Sequence, residues 1–259
     1  MARMTGRERG RDRMDPIDEL VIANRVLADQ GVVDAYGHVS MRAPDNPQHY
    51  LIARSVPPEL VTRDDIFRLD LDSNPVEPTD EGMYLERFIH GEIYRERADV
   101  NAVVHNHSPS VIPFGVTDRP LRPLVNTGAF IGLGVPTFEI RDFQESGDLL
   151  ISSPALGRAL AEVLDEAPAA LMRGHGATVV ADSLPLVCVR SIYLEVSAKL
   201  QMQAMTVGGP NGRVVYLDDE EVREIVARQD GKRTWERPWT LWRARAIAAL
   251  KAEAALLEG

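Results

Sequence analysis

One cysteine, Cys188, stands in 259 residues, so no intrachain disulfide can form and a thiolate metal cage is excluded. Basic side chains are outnumbered, 29 Lys and Arg against 39 Asp and Glu, for a net charge of -10. That balance argues against nucleic acid as a partner, because phosphate-backbone affinity rests on Lys and Arg. No apolar run reaches the roughly 18 to 20 residues needed to span a bilayer, so no membrane partner is expected. The Arg-rich start MARMTGRERGRDR leads into neither an apolar h-region nor a small-residue cleavage site, and the expectation is a mature whole chain in the cytoplasm. Also missing are long Pro- or Ser-rich linkers, internal repeats and low-complexity tracts. At this length one domain can bury a sizeable core without staples.

Residues 1–14 carry too little apolar content to fold alone and are expected to be disordered. From Asp15 to Gln30 the apolar residues Ile17, Leu20, Val21, Ala23, Val26 and Leu27 recur at helical spacing, and Gly31 follows as a cap. Val32 to Arg42 reads as a strand pair around Gly37, and Tyr50 to Ala53 and Ile66 to Leu71 as strands. Thr79 to Arg97 reads as a helix on which Glu86, His90 and Tyr94 follow one another at steps of four. Asn101 to Val104 gives a buried strand, with further strand candidates at Val111 to Val116, Thr137 to Ile140 and Leu149 to Ile151. Helices are expected at Ser153 to Asp165, Leu184 to Met205 and about Asp218 to Arg228. Between the first two, Ala169 to Val180 reads as two β-type runs hinged on Arg173-Gly174-His175-Gly176. This alternation describes one α/β domain over 15–208, followed by a helical extension over 209–259. The extension holds all three tryptophans, Trp235, Trp239 and Trp242, which suit packing on the domain, over a pocket or on another subunit better than base stacking.

His105 and His107 sit two apart at the end of a predicted strand, which aims both imidazoles to one face at a separation a single metal can bridge. The other reading is two hydrogen-bonded loop histidines. His175, flanked by Gly174 and Gly176, sits where the backbone can approach another segment closely; alone it is a turn histidine, but with the His-x-His pair it allows three imidazoles to meet. Glu86 precedes the first pair, and a short connection at Arg97 to Asn101 can fold its helix back across the strand. Its carboxylate is then a fourth ligand or a general acid/base, or else it pairs with Arg87 or Arg95.

The run Glu86-Arg-Phe-Ile-His90 through Tyr94, then Ala102-Val-Val-His105-Asn-His107, then Gly174-His175-Gly176, with Gly37-His38-Val39-Ser40-x-Arg42 ahead of them, resembles the class II aldolase/adducin family. The resemblance covers roughly Asp15 to Met205. It implies an α/β/α sandwich, a divalent metal on His105, His107 and His175, Glu86 as acid/base, and a homotetramer with active sites between subunits. Sugar-phosphate aldolases of the family hold phosphate with an Asn, a Thr-Gly pair and two serines. Here His38, Ser55-Val56 and Tyr84-Leu85 stand at those places, which suits a flatter, more apolar substrate.

The patterns YLERFIH, HNHSxxVIPFGVT, MRGHG and LEVSAKLQMQAM are similar to a subgroup that decarboxylates hydroxylated aromatic or pyridine carboxylic acids. The expected activity is therefore a metal-dependent lyase acting on a small carboxylic acid. Glu86 is the first choice of proton donor, with His90 or His38 in reserve. Arg54 and His38 are natural partners for a second substrate carboxylate, with Ser55 and Tyr84 lining the same pocket. Imidazole ligands accept Mn2+, Zn2+ or Fe2+. The rivals are an aldolase acting on a non-phosphorylated hydroxy-keto compound, a non-heme iron oxygenase on the same fold, and a non-catalytic module like the adducin head.

Overall fold

The computed structural model describes residues 14–144, 147–209 and 212–257. The expected disordered segment 1–14 lies, apart from Met14, outside the described residues. Chain order runs α1 (Pro16–Asp29), β1 (His38–Arg42), β2 (His49–Ala53), β3 (Ile66–Asp70), α2 (Phe88–Glu96), β4 (Ala102–Asn106), α3 (Ile112–Gly115), β5 (Thr137–Phe138), α4 (Pro154–Leu164), β6 (Ala169–Met172), β7 (Gly176–Ala181), α5 (Leu184–Gly208), α6 (Asp219–Lys232) and α7 (Glu236–Leu257). The seven strands form one sheet in the order β3-β2-β1-β4-β7-β6-β5, antiparallel except where β5 meets β6.

Strand alternation divides the core in two. On β4, Ala102 and Val104 face one apolar cluster and Val103 the other. The first cluster lies under α1, α5 and α7; the second lies under α2 and α4, which pack on each other. The result is an α/β/α sandwich with a C-terminal helical extension. Cys188 on α5 is fully buried in the first cluster, where burial pushes its thiol well above the usual range. Trp239 and Trp242 of α7 belong to that cluster too, so this chain's own α1 and α5 cover them, and Trp242 meets the Tyr193 ring. Among the described residues no helix is long and apolar enough to cross a membrane.

Several elements differ from the sequence reading. Of Val32 to Arg42 only His38–Arg42 is a strand. The stretch before it bends because the Asp34 carboxylate accepts the Tyr36 and Gly37 amides, which a ladder would otherwise use. The helix expected from Thr79 starts at Phe88, preceded by a single 3-10 turn, Leu85–Arg87, inside which Glu86 has non-helical φ -89° and ψ 16°. Upstream residues are held extended, since Gly82 accepts the Ser55 amide and the Tyr84 hydroxyl donates to Val56. Val111 to Val116 contains the helix α3 rather than a strand, with Pro113 in its first turn, where a missing N–H costs nothing. Thr137 to Ile140 is strand only to Phe138. Leu149 to Ile151 is no strand: Leu149 has φ 69°, and the groups it would pair serve the site described next.

Candidate metal centre

β1 and β4 pair His38 with His105 and Ser40 with Val103, so these residues share the face covered by α2. His107 follows just past the end of β4. A side chain on Gly176 would overlap the Asn106 carbonyl, so only glycine lets the start of β7 close on the end of β4. Gly174, at φ 67°, makes the reversal before it. His175 is thereby carried to the other two rings: the three imidazole centroids stand 4.8 to 4.9 Å apart.

Glu86 reaches the same point from the turn ahead of α2. Its Oε2 lies 3.4 Å from His105 Nε2 and 3.4 Å from His175 Nε2, while its Oε1 accepts the Ile151 amide at 2.9 Å. The salt bridge weighed above does not form, since Arg87 donates to the Ser73 and Tyr84 carbonyls and Arg95 pairs with Asp72 and Glu92. Placing Glu86 off the helix is what frees its carboxylate to turn inward. Glu86, His105, His107 and His175 offer four ligand atoms within 4.8 Å of one another.

Hydrogen bonds on the outer nitrogens fix the tautomers of His175 and His107. His175 Nδ1 is 3.0 Å from the Leu149 carbonyl, which only accepts, so Nδ1 bears the proton and Nε2 keeps its lone pair when the ring is neutral. His107 Nδ1 faces the Asp34 carboxylate at 3.2 Å with the same result. His107 Nε2 and His105 Nε2 then approach to 3.1 Å. These nitrogens converge beside the buried Glu86 carboxylate, and three imidazoles with one carboxylate are a donor set that divalent transition metals accept. The residues fit a metal.

Charge is distributed accordingly. Burial opposes the Glu86 charge, but His105, His175 and the Ile151 amide outweigh it and bring the carboxyl down to about 2. Burial lowers His105 to about 3 against the pull of Glu86. His175 is less enclosed, and there the carboxylate overcomes burial and raises the imidazole. His90 is held at about 3 by burial and by His105, and His38 well below its ordinary value by burial and by His90.

The other sequence candidates fall at different places. The His38 ring lies tilted against His105, centroids 5.0 Å apart, and against Tyr84, 4.6 Å apart, and its Nδ1 meets His90 Nε2 at 2.7 Å. Arg54 donates from Nε to Asp65 at 2.7 Å and pairs with Glu81, and exposed Ser55 is fastened to Gly82. Among the described residues neither is hydrogen-bonded to the metal cluster. Sequence reasoning missed Asp34, the Leu149 carbonyl and the Ile151 amide; only Asp34, three residues before Gly37, carried a readable turn signal.

A family model described as Class II Aldolase and Adducin N-terminal domain matches residues 18–202. The chain belongs to this family. Among curated members, this class II aldolase/adducin protein is 34% identical over 248 residues to decarboxylase tropJ of Talaromyces stipitatus, 88% of this chain and 92% of that protein. It is 30% identical to a 3,4-dihydroxyphthalate decarboxylase of Arthrobacter keyseri, over 80% of this chain and 85% of the other. Among solved structures, L-fuculose 1-phosphate aldolase from Glaciozyma antarctica shares the fold with a TM-score of 0.74, at 19% identity over 92% of this chain and 90% of that one. The class II aldolase/adducin sandwich thus accounts for the layers, and the cluster at the end of β4 lies within the matched residues.

Proposed function

We propose that this class II aldolase/adducin protein is a divalent-metal-dependent lyase that decarboxylates a hydroxylated aromatic or heteroaromatic carboxylic acid. The observation that carries the reading is the three-imidazole, one-carboxylate cluster with the His38 ring tilted against His105 and the Tyr84 ring against His38, aromatic surface that suits a flat ring. Similarity to two proteins named as decarboxylases supports it.

His105, His107 and His175 would hold the ion, with Glu86 beside them. When bound, a divalent cation there supplies Lewis-acid stabilisation of the negative charge released as a carbon–carbon bond breaks. Glu86, an anion at neutral pH, takes the ring hydroxyl proton on Oε2 as substrate settles. The substrate carboxylate then departs as carbon dioxide and leaves its bonding pair on the ring carbon. Glu86 Oε2 returns its proton to that carbon, and the carboxylate is regenerated. Tyr84 packs on the ring, and Arg54 with Ser55 receive a second carboxylate once Arg54 exchanges Glu81 for substrate. Mn2+, Zn2+ and Fe2+ all suit the donor set. Exposed Tyr36 and Leu85, neighbours of the site in sequence, support a homotetramer that covers the centre, which light scattering would weigh.

The test is incubation of metal-loaded protein under argon with hydroxylated phthalates and hydroxypyridine carboxylates. Carbon dioxide without a second carbon fragment is expected. Pyruvate or a small aldehyde from a hydroxy-keto compound would make it an aldolase, and activity that requires dioxygen would make it an oxygenase.

A further inference from the structure

Beside the metal cluster lies a second row of polar groups that ligation leaves unused. His38 and Ser40 point from β1 toward α2, where His90 and Tyr94 meet them one turn apart. His38 Nδ1 is 2.7 Å from His90 Nε2, His90 Nδ1 is 2.6 Å from Ser40 Oγ, and Ser40 Oγ is 2.8 Å from the Tyr94 hydroxyl. All four residues are buried, none more than 2% exposed. Gly37 sets the approach, because a side chain there would strike Val33 and crowd the His105 carbonyl.

Hydrogens in such a chain can run in either direction. Running from His38 toward Tyr94, they leave the tyrosine O–H, last in line, without an acceptor among the described residues, and a buried unmet donor is strongly disfavoured. In the opposite direction the three donors inside the chain are met: Tyr94 donates to Ser40, Ser40 to His90 Nδ1, and His90 Nε2–H to His38 Nδ1. His38 must then carry its own hydrogen on Nε2, an atom that has no partner among the described residues and is not sealed off.

We propose that Tyr94, Ser40 and His90 lock His38 in its Nε2–H tautomer, so that His38 donates a hydrogen bond to an anionic oxygen of the substrate beside the metal centre. His90 and Ser40 act through His38 as positioning residues. The substrate class rests on the decarboxylase reading; the tautomer does not. A neutral N–H held in one orientation binds an oxygen anion without placing a second full charge next to the cation.

Nitrogen-15 NMR of metal-free, histidine-labelled protein reads the tautomers directly. His38 and His90 are expected as Nε2–H forms, and Ser40→Ala should redistribute the His90 hydrogen between its two nitrogens, which a merely structural role would not do. A His38 hydrogen on Nδ1 would overturn the proposal. Calorimetry with zinc-loaded protein and salicylate reads the donor. His38→Ala should weaken binding about tenfold or more with zinc content unchanged, and His38→Gln, whose amide N–H reaches the place of Nε2, should restore most of it. Wild-type affinity in fully loaded His38→Ala overturns the donor role, as does a wild-type protein that does not bind salicylate. Should His38→Ala fail to fold, Ser40→Ala carries the same comparison, with a severalfold loss expected. If no aromatic acid releases carbon dioxide while the tautomer and salicylate results hold, the decarboxylase reading falls and this one stands.

Discussion

Glu86 keeps its charge in a buried place only because His105, His175 and the Ile151 amide surround it. Removing one imidazole therefore undoes both charge balance and ligation. His105→Ala should reduce bound metal from about one ion per chain to near none by elemental analysis, and abolish turnover. Glu86→Gln should retain most of the metal and lower kcat about 100-fold or more if the carboxylate moves the proton; unchanged kcat would sink that role. Metal-free protein should also be acid-labile in a defined window. His90 and His105 fall to about 3 when folded, against an ordinary value of about 6.5 in the unfolded chain, so unfolded protein binds more protons between those limits. Stability is then lost as pH falls through that range, and Glu86, lowered to about 2, adds loss of the same sign below its ordinary value. Urea midpoints should fall steadily from pH 7 to pH 4; a flat profile would contradict it.

Elements rather than residues set how closely the ligands approach, and β4 with β7 is the pair that decides it. Gly176→Ala would press a methyl group into the Asn106 carbonyl, so the strands must part at the point where His105, His107 and His175 meet. We expect lower stability by about 1 to 3 kcal/mol in urea titration and weaker metal retention under a chelator competition. At this scale the sequence was legible wherever a periodic apolar pattern ran through whole elements: α1, α4, α5, β2, β6 and β7 stand where spacing put them. The meeting of the three histidines was legible for the same reason, since strand-end His-x-His and Gly-His-Gly are local patterns whose meeting needs only antiparallel pairing. What was not legible depends on partners distant in the chain. Residues 79–84 have helical composition but are drawn out by Ser55 and Val56, and Leu149 to Ile151 has strand composition but gives its carbonyl to His175 and its amide to Glu86. Arg54 reads as a free cation in the sequence; its pairing with Asp65 emerges only once β2 and β3 lie side by side.

The whole molecule is two helical layers on one sheet, and the extension outside the matched residues completes one of them. Trp242, 9% exposed, lies among α1, α5 and the sheet-facing cluster. Trp242→Ala should therefore lower stability by about 3 to 5 kcal/mol, read from urea unfolding, although the residue lies outside the span that carries the candidate metal cluster. If the loss stayed below about 1 kcal/mol, α7 would be an ornament on the layer rather than part of it. The same layer conceals the molecule's single sulfhydryl. Cys188 is enclosed, and burial holds it protonated, so a colorimetric disulfide reagent should find nothing to titrate in the native chain and one equivalent after denaturation. The protein thus carries its own clock: the pace at which that reagent develops colour would report how often the α5 layer lifts from the sheet, with no label introduced.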